Sequence, residues 1–497
     1  KEPLLSTPSD QDFTVPDEIL RKTAEYTEVS NAENPYILKE QTFRQQYANI
    51  YFIRLTKLRA ATLEAARERW SGLPEKTEYV SKVLDVEAGK VCYIIGTVYM
   101  DMPLKPNILE DITKENYIVS QPPPPKYVSA DATVAMEDES GRVVLSGSRL
   151  QSENLVTGKS FVKMEPWSMT QSFHVSRESH LLLKRPATNF IGTIIAALGK
   201  ENAYGEFEVI DICTPGLPDP NPTPRMEIDT PDNKYVALLS GLNFGAGGDS
   251  SMRLEMLLEY LTGELGDSQD SQASQSIVKV VLAGNSVTER KVIVDDKKPK
   301  KYGYDSTIYD ASPVMALDKF LQQLCSSVNV DIMPGKNDPS NAHLPQQPLH
   351  HSLFTSSHKL SSLKPVTNPH WCEIDGVSFL GTSGQTIDDL DRYTEGCERI
   401  QLAEFTISWR HIAPSAPDTL WCYPFQDRDP FIVEQCPDVY FIGNQPSFDT
   451  SELVGSKGQR VRVITVPSFS ETGCLVLVNL SSLQCKLVSI CPPDNSS

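Results

Sequence analysis

Between Thr214 and Pro231 the chain places Pro215, Pro218, Pro220, Pro222, Pro224 and Pro231. Proline fixes φ and lacks an N–H, so a stretch this rich in it can continue neither a helix nor an inner strand. It must be an extended connector, taken here as residues 214–232. At 497 residues the chain also exceeds what a single hydrophobic core organises. The connector marks where it divides.

On the N-terminal side, residues 1–40 are Pro- and acid-rich without sustained periodicity and read as a disordered tail. Residues 41–78 carry a helix running to about Trp70, because Phe43, Tyr47, Ile50, Tyr51, Leu55 and Leu58 recur at three and four. That stripe is read as core packing in preference to an exposed partner groove. Residues 79–213 then change to short β-type runs: Val91–Val98, Thr133–Glu137, Val143–Ser146, Phe190–Ala197 and Glu206–Ile212. Five short strands with glycines at their ends suit a small barrel, with the proline run Gln121–Lys126 as an extended loop.

Residues 233–492 have a different rhythm. Strand-like Tyr235–Leu239 leads through a Gly-rich loop into an amphipathic helix over Met252–Leu261. Ile277–Ala283 is a buried strand, Ala316–Cys325 a helix, and Val328–Met333 a further strand. This alternation implies a largely parallel sheet covered by helices. Later strands at Val377–Leu380, Val439–Ile442, Val461–Val466 and Leu475–Leu480 call for a second sheet. Asn337–Asn368 reads as a long structureless loop of the kind that is functional or ordered by a partner.

Charge and cysteine limit what such a chain can do. Its 65 acidic against 46 basic side chains give a formal charge of −19, which repels a phosphate backbone, so little direct DNA binding is expected. The ten cysteines include no C-x-x-C and are expected to be reduced core thiols rather than a zinc ribbon or redox pair. The polar N-terminal stretch excludes a signal peptide, although an opening Lys1 without Met suggests a trimmed N-terminus. The apolar run Phe190–Leu198 is too short to span a bilayer, so a soluble intracellular protein without a membrane role is expected.

In α/β sheets the chemistry sits where strands end. The first such loop, Ser240-Gly241-Leu242-Asn243-Phe244-Gly245-Ala246-Gly247-Gly248, is neither G-x-G-x-x-G nor a P-loop, and it carries no charged side chain. The others read Ala283-Gly284-Asn285, Met333-Pro334-Gly335-Lys336-Asn337-Asp338-Pro339, Gly381-Thr382-Ser383-Gly384-Gln385 and Ile442-Gly443-Asn444-Gln445-Pro446-Ser447. Five strand-terminal glycine turns in this order resemble the five motifs of the calcineurin-like metallophosphoesterases. That family holds two metals with Asp-x-His, Gly-Asp, Gly-Asn-His-Asp/Glu, a His, and Gly-His-x-His. Two divalent ions about 3.5–4 Å apart need several converging carboxylates and imidazoles.

Matched to that pattern, Gly241 stands at the first Asp and Asn243 at the following His. Asn285 takes the second-motif Asp, Lys336 the bridging Asn, and Asn337 the catalytic His. Ser383 takes the next His, while Asn444 and Pro446 take the last two. Only Asp338 survives, as a partner of the catalytic His rather than a metal ligand. The resemblance therefore implies a degenerate site with no catalytic residue, no metal and no cofactor.

The histidines offer no rescue. His343, His350, His351, His358 and His370 crowd the long loop without ligand spacing or an acidic neighbour in sequence, and a solvated loop is expected. His411 lacks a recognisable nucleophile and reads as a packed or hydrogen-bonded structural residue.

A small barrel followed by a phosphoesterase-like domain without ligands is similar to the B-subunits of replicative DNA polymerases. Phe43-Arg44-Gln45-Gln46-Tyr47-Ala48, Val328-Asn329-Val330-Asp331-Ile332-Met333-Pro334-Gly335, Leu344-Pro345-Gln346-Gln347-Pro348-Leu349-His350, Val366-Thr367-Asn368-Pro369, Phe379-Leu380-Gly381-Thr382-Ser383-Gly384-Gln385 and Pro414–Leu420 resemble, within that group, the second-subunit family of eukaryotic DNA polymerase delta. The match runs in order from about residue 36 to 490. The resemblance implies an α/β plus all-β fold: an N-terminal helix and OB-fold barrel, then a calcineurin-like phosphoesterase two-sheet sandwich. It implies a nuclear, non-catalytic scaffold in DNA replication and repair synthesis. Such a scaffold joins the cysteine-rich C-terminal module of the DNA polymerase delta catalytic subunit to a third subunit, and meets the sliding clamp indirectly.

One stretch departs from the family. Lys159–Phe190 interrupts the barrel pattern without counterpart, and residues 159–190 are expected to be a surface insertion or a gene-model artefact. Two other functions compete with scaffolding. One is a metal-dependent phosphodiesterase or nuclease with a rebuilt site. The other is DNA binding by the barrel through Tyr93 and Tyr99, for which core packing is the preferred reading.

Overall fold

A computed structural model of the chain describes residues 21–28, 34–39, 42, 44–73, 77–105, 124–129, 132–147, 192–220, 233–247, 250–265, 273–289, 292–294 and 307–490. The stretch 159–190 and most of the proline connector lie outside them.

Five strands form the barrel: Cys92–Asp101, Thr133–Glu137, Arg142–Ser146, Ile194–Glu201 and Phe207–Cys213. Cys92–Asp101 pairs with both Thr133–Glu137 and Ile194–Glu201, while Phe207–Cys213 joins Ile194–Glu201 antiparallel and Arg142–Ser146 parallel. With Thr133–Glu137 paired to Arg142–Ser146, these five strands close into a ring, and the short strand Glu78–Tyr79 lies parallel beside Cys92. The strand expected from Phe190 begins instead at Ile194. Gly192, at φ 66°, turns the chain just before it, and a Cβ there would lie 1.9 Å from the carbonyl oxygen of Pro414. Phe190 itself lies outside the described residues.

The N-terminal helix spans Ala48–Trp70 and buries Ile50, Leu55, Leu58, Ala66 and Trp70, each large apolar side chain contributing about 1.5–3 kcal/mol. Trp70 packs on Tyr93 with ring centroids 5.2 Å apart. Tyr93 is thereby a core residue, and half-buried Tyr99 lies under the Arg142 guanidinium at 4.0 Å. The expected start near Phe43 is too early. Phe43 is outside the described residues, and Arg44–Gln46 are not helical. Instead the Thr42 N–H donates to the Tyr423 hydroxyl (3.0 Å) and Tyr47 to the Cys422 carbonyl (3.0 Å), so the chain runs along the C-terminal domain before it coils.

Two six-stranded sheets build the C-terminal domain. One has the order Leu363–Pro365, Asn329–Met333, Ile277–Ala283, Tyr235–Leu239, Cys474–Asn479, Cys485–Ser489. The other has the order Tyr26–Glu28, His370–Ile374, Val377–Thr382, Val439–Gln445, Arg460–Pro467, Asp449–Val454. Their inner faces share one core, including Val281, Met333, Phe379 and Phe441. Helices Ser250–Thr262 and Ser312–Leu324 cover the outer face of the first sheet, through Leu257, Leu261, Leu317 and Leu321. Helices Gln385–Arg392 and Arg399–Ser408 cover the second, in a core that runs on into the barrel.

Two expectations change here. Tyr26–Glu28, within the supposed disordered tail, is an edge strand paired antiparallel with Cys372–Ile374. It is anchored from far along the chain: Arg21 donates to the carbonyls of Leu261 (2.6 Å) and Ile277 (3.0 Å). Nor is Asn337–Asn368 structureless. It holds 3-10 turns at His351–Leu353 and Ser357–Lys359 and the strand Leu363–Pro365. Buried Asp318 organises it by accepting from Thr355, Ser356 and Ser357. Burial alone would raise that carboxyl, but these bonds outweigh it and bring its pKa to about 2.

A charged clasp joins helix, barrel and sandwich. Arg54 is wholly buried in the helix's apolar stripe and donates to the Asp429 carboxylate (2.9 Å) and to the carbonyls of Gly192 (3.2 Å), Pro414 (3.0 Å) and Ala416 (2.9 Å). His411 Nε2 donates to the same carboxylate at 2.9 Å, and its Nδ1 accepts the Ala413 N–H at 3.2 Å. That pairing assigns the neutral Nε2–H tautomer. His411 is therefore the hydrogen-bonded structural residue expected. No described helix is long and apolar enough to cross a membrane.

Candidate functional site

The parallel strands of both sheets end on one side, and their turns meet there. Asn243, Asn285 and Asn444 adopt left-handed backbone conformations (φ 49°, 52° and 55°), which asparagine tolerates better than other side chains with a Cβ. Gly241 donates its N–H to the Gly284 carbonyl at 2.9 Å, and a Cβ on Gly241 would meet Ser468 Oγ at 2.4 Å. Close approach of the turns therefore requires glycine.

Side chains in these turns are spent on one another. Asn285 Oδ1 accepts the Asn337 N–H (3.1 Å), and Asn243 Nδ2 donates to Ser470 Oγ (2.7 Å). Asn444 Nδ2 donates to the carbonyls of Ala283 (3.0 Å) and Ser383 (2.8 Å), while its N–H donates to Ser240 Oγ (2.8 Å). Ser383 joins a second set that sequence reasoning missed. Asn368 Nδ2 donates to Ser383 Oγ (2.6 Å), Gln385 Oε1 (2.9 Å) and Gln346 Oε1 (2.9 Å). Gln346 Nε2 reaches the Gly335 carbonyl at 3.0 Å. Asn368 and Gln346 lie in strings that carried the family resemblance, which was the one signal for them.

Of the eight positions singled out, Gly241, Asn243, Asn285, Asn337, Ser383 and Asn444 come together. Lys336 and Pro446 are exposed. Asn337 also faces a cleft of about 320 Å³ bounded by Gly245, Val287, Pro313 and Pro339.

Asp338 is the one carboxylate carried by the five turns, and it is committed to two backbone donors, Val287 N–H (3.0 Å) and Gly335 N–H (2.8 Å). Burial raises its pKa to about 6 against the lowering effect of those bonds. A pair of divalent ions needs several anionic and imidazole donors. Amides, a hydroxyl and glycine backbone do not supply them, so the residues present do not fit a dinuclear centre. Mixed sheets, a closed five-strand barrel and strand-end turns with a single carboxylate, Asp338, are what the chain presents.

Comparison with known proteins agrees with that architecture. Residues 236–450 match the B-subunit family of DNA polymerases alpha and epsilon, and residues 46–164 match the OB-fold domain family of the DNA polymerase delta subunit. The class is that of polymerase B-subunits. The chain is 40% identical to the DNA polymerase delta small subunit of Arabidopsis thaliana, over 96% of this chain and 98% of the relative. It is 33% identical to the Saccharomyces cerevisiae small subunit, over 93% of each chain. Identity to DNA polymerase delta subunit 2 of Drosophila melanogaster is 31%, over 93% and 97%. The chain belongs to the DNA polymerase delta small-subunit family, and is an accessory subunit of that polymerase in DNA replication.

Proposed function

We propose that the chain is a non-catalytic scaffold whose C-terminal domain is a calcineurin-like phosphoesterase sandwich kept for its surface. Gly241, Asn243, Asn285, Lys336, Ser383, Asn444 and Pro446 stand at former metal-ligand positions, and Asn337 at that of the catalytic histidine. The observation that carries this reading is the Asn444 amide, which donates to two backbone carbonyls, Ala283 and Ser383, at a position where a metal site needs an imidazole. An amide nitrogen that donates has no lone pair to offer an ion, so the position cannot act as the imidazole would.

On this reading the chain works in the nucleus, in replication and repair synthesis. It joins the catalytic subunit, through that subunit's cysteine-rich C-terminal module, to a third subunit, and the sliding clamp is engaged indirectly. The formal charge of −19 supports a role in which partners, not this chain, hold DNA. The Arg54 clasp supports a rigid two-domain platform.

Purified full chain assayed with Mn²⁺ on nucleotide and single-stranded DNA substrates should give no turnover above that of an Asn337→Ala control. Turnover that disappears in Asn337→Ala would overturn the proposal. Co-expression with the polymerase delta catalytic subunit should yield a stable complex, and failure to co-purify would refute the scaffold role separately.

A further inference from the structure

Between the two sheets, on their inner faces, lies a polar cluster that the strand-end turns do not use. Lys279 and Asp331 sit on the neighbouring parallel strands Ile277–Ala283 and Asn329–Met333, with Nζ 2.9 Å from Oδ1. From the opposite sheet, His370 Nε2 comes within 3.8 Å of Asp331 Oδ2. Cys372, two residues along the same strand, shares the face of His370. His370 is therefore not part of the solvated loop expected from sequence, but a strand residue in the core.

Ligand atoms of Asp331, His370 and Cys372 all lie within 4.8 Å of one another, and all three residues are buried. Lys279 and His370 compensate the charge of Asp331, yet among the described residues neither carboxylate oxygen receives a well-directed hydrogen bond, and His370 Nδ1 has no partner. Buried polar atoms left this way are costly unless something else satisfies them.

We propose that Asp331 Oδ2, His370 Nε2 and Cys372 Sγ bind one divalent ion of the zinc type, tying the two sheets together. The donor chemistry selects the metal. Calcium and magnesium take oxygen ligands, whereas a thiolate with an imidazole and one carboxylate suits zinc. With bonds of about 2.0–2.3 Å, tetrahedral donors stand roughly 3.3–3.6 Å apart, so the 3.8 Å pair needs to close by only a few tenths of an ångström.

Lys279 remains on Oδ1 and leaves Oδ2 to the ion. The Tyr26 hydroxyl, 3.5 Å from His370 Nε2, is at hand as a fourth donor. Binding expels the Cys372 thiol proton to solvent, so affinity rises with pH. The site is separate from the strand-end turns, and it stands or falls independently of the scaffold reading.

The full chain, stripped with chelator under reducing conditions and titrated with Co²⁺, should take up one ion with tetrahedral visible bands and a near-ultraviolet thiolate charge-transfer band. Zn²⁺ should displace it and raise the thermal midpoint. Cys372→Ser should lose the near-ultraviolet band, and His370→Gln should weaken binding by more than the roughly 10- to 100-fold that loss of a supporting partner costs. Cys436→Ser, another buried thiol, should change neither. Absence of the thiolate band in the unaltered chain overturns the proposal without recourse to any variant, as does a band that survives in Cys372→Ser.

Discussion

The Arg54 clasp and the strand-end turns are both buried polar centres that stitch distant segments together, but they do it with opposite electrostatics. The clasp uses a full ion pair, with Asp429 held ionised by His411 and Arg54 against the opposing effect of burial. The turns, apart from Asp338, use neutral amides and a hydroxyl. A charged centre in a low dielectric is stable only while every partner is present, because removing one leaves an uncompensated charge. A network of amides loses one bond at a time. The first suits a joint that must not slip, and the second a set of turns that can lose one contact without coming apart.

The largest test of this contrast is Arg54→Met, which strands the Asp429 carboxylate and three carbonyls. Urea unfolding should show a loss of roughly 3–5 kcal/mol, and Arg54→Met/Asp429→Leu should recover part of it. A loss below about 1 kcal/mol would mean that the joint does not depend on the pair.

Next in size is an acid effect. Burial, and then the Arg54 charge, lower the His411 pKa from 6.5 to about 4 despite Asp429. The unfolded chain then binds the extra proton between those values, so this stability is complete above pH 6.5 and is lost as pH falls towards 4. The loss approaches roughly 3 kcal/mol over the window. His411→Gln, which still offers an N–H to Asp429, should flatten the slope there. If both proteins lose stability in parallel, His411 is not the group responsible.

In the turns the effects should be smaller. Asn444→Ala removes two donated bonds and asks alanine to hold φ 55°, for about 1–3 kcal/mol by thermal melting. Asn444→Gly should cost about 1 kcal/mol less, since glycine carries no left-handed penalty. Smallest of all, Asn285→Asp keeps the acceptor for the Asn337 N–H and should shift stability by under about 1 kcal/mol. Its melting temperature should not respond to added Mn²⁺. A rise with Mn²⁺ would show that one restored carboxylate is enough to recruit an ion, against the contrast between clasp and turns.

Legibility in the sequence followed interaction range. Tyr235–Leu239 and Ile277–Ala283 match their expected bounds because strands buried on both faces read as continuous apolar runs. The glycine turns were visible because tight turns demand glycine locally. Their convergence followed from parallel strands ending on one side. Lys336 and Pro446 were assigned by order along the chain alone, and geometry leaves them exposed.

The clasp was not foreseen, since Arg54 and Asp429 are 375 residues apart. Its one trace was a charged residue within the apolar stripe between Ile50 and Leu58. The Asn368 hub and the strand Tyr26–Glu28 were invisible for the same reason. Their partners are set by tertiary packing, which local patterns do not record.

That edge strand has a consequence in time. The Glu25 N–H donates to the Asp375 side chain across 350 residues of chain. During synthesis at about 5–20 residues per second, the segment emerges on the order of tens of seconds before the strand it pairs with exists. The segment thus waits for a partner made some 350 residues later, and its seating reports that His370–Ile374 has been made.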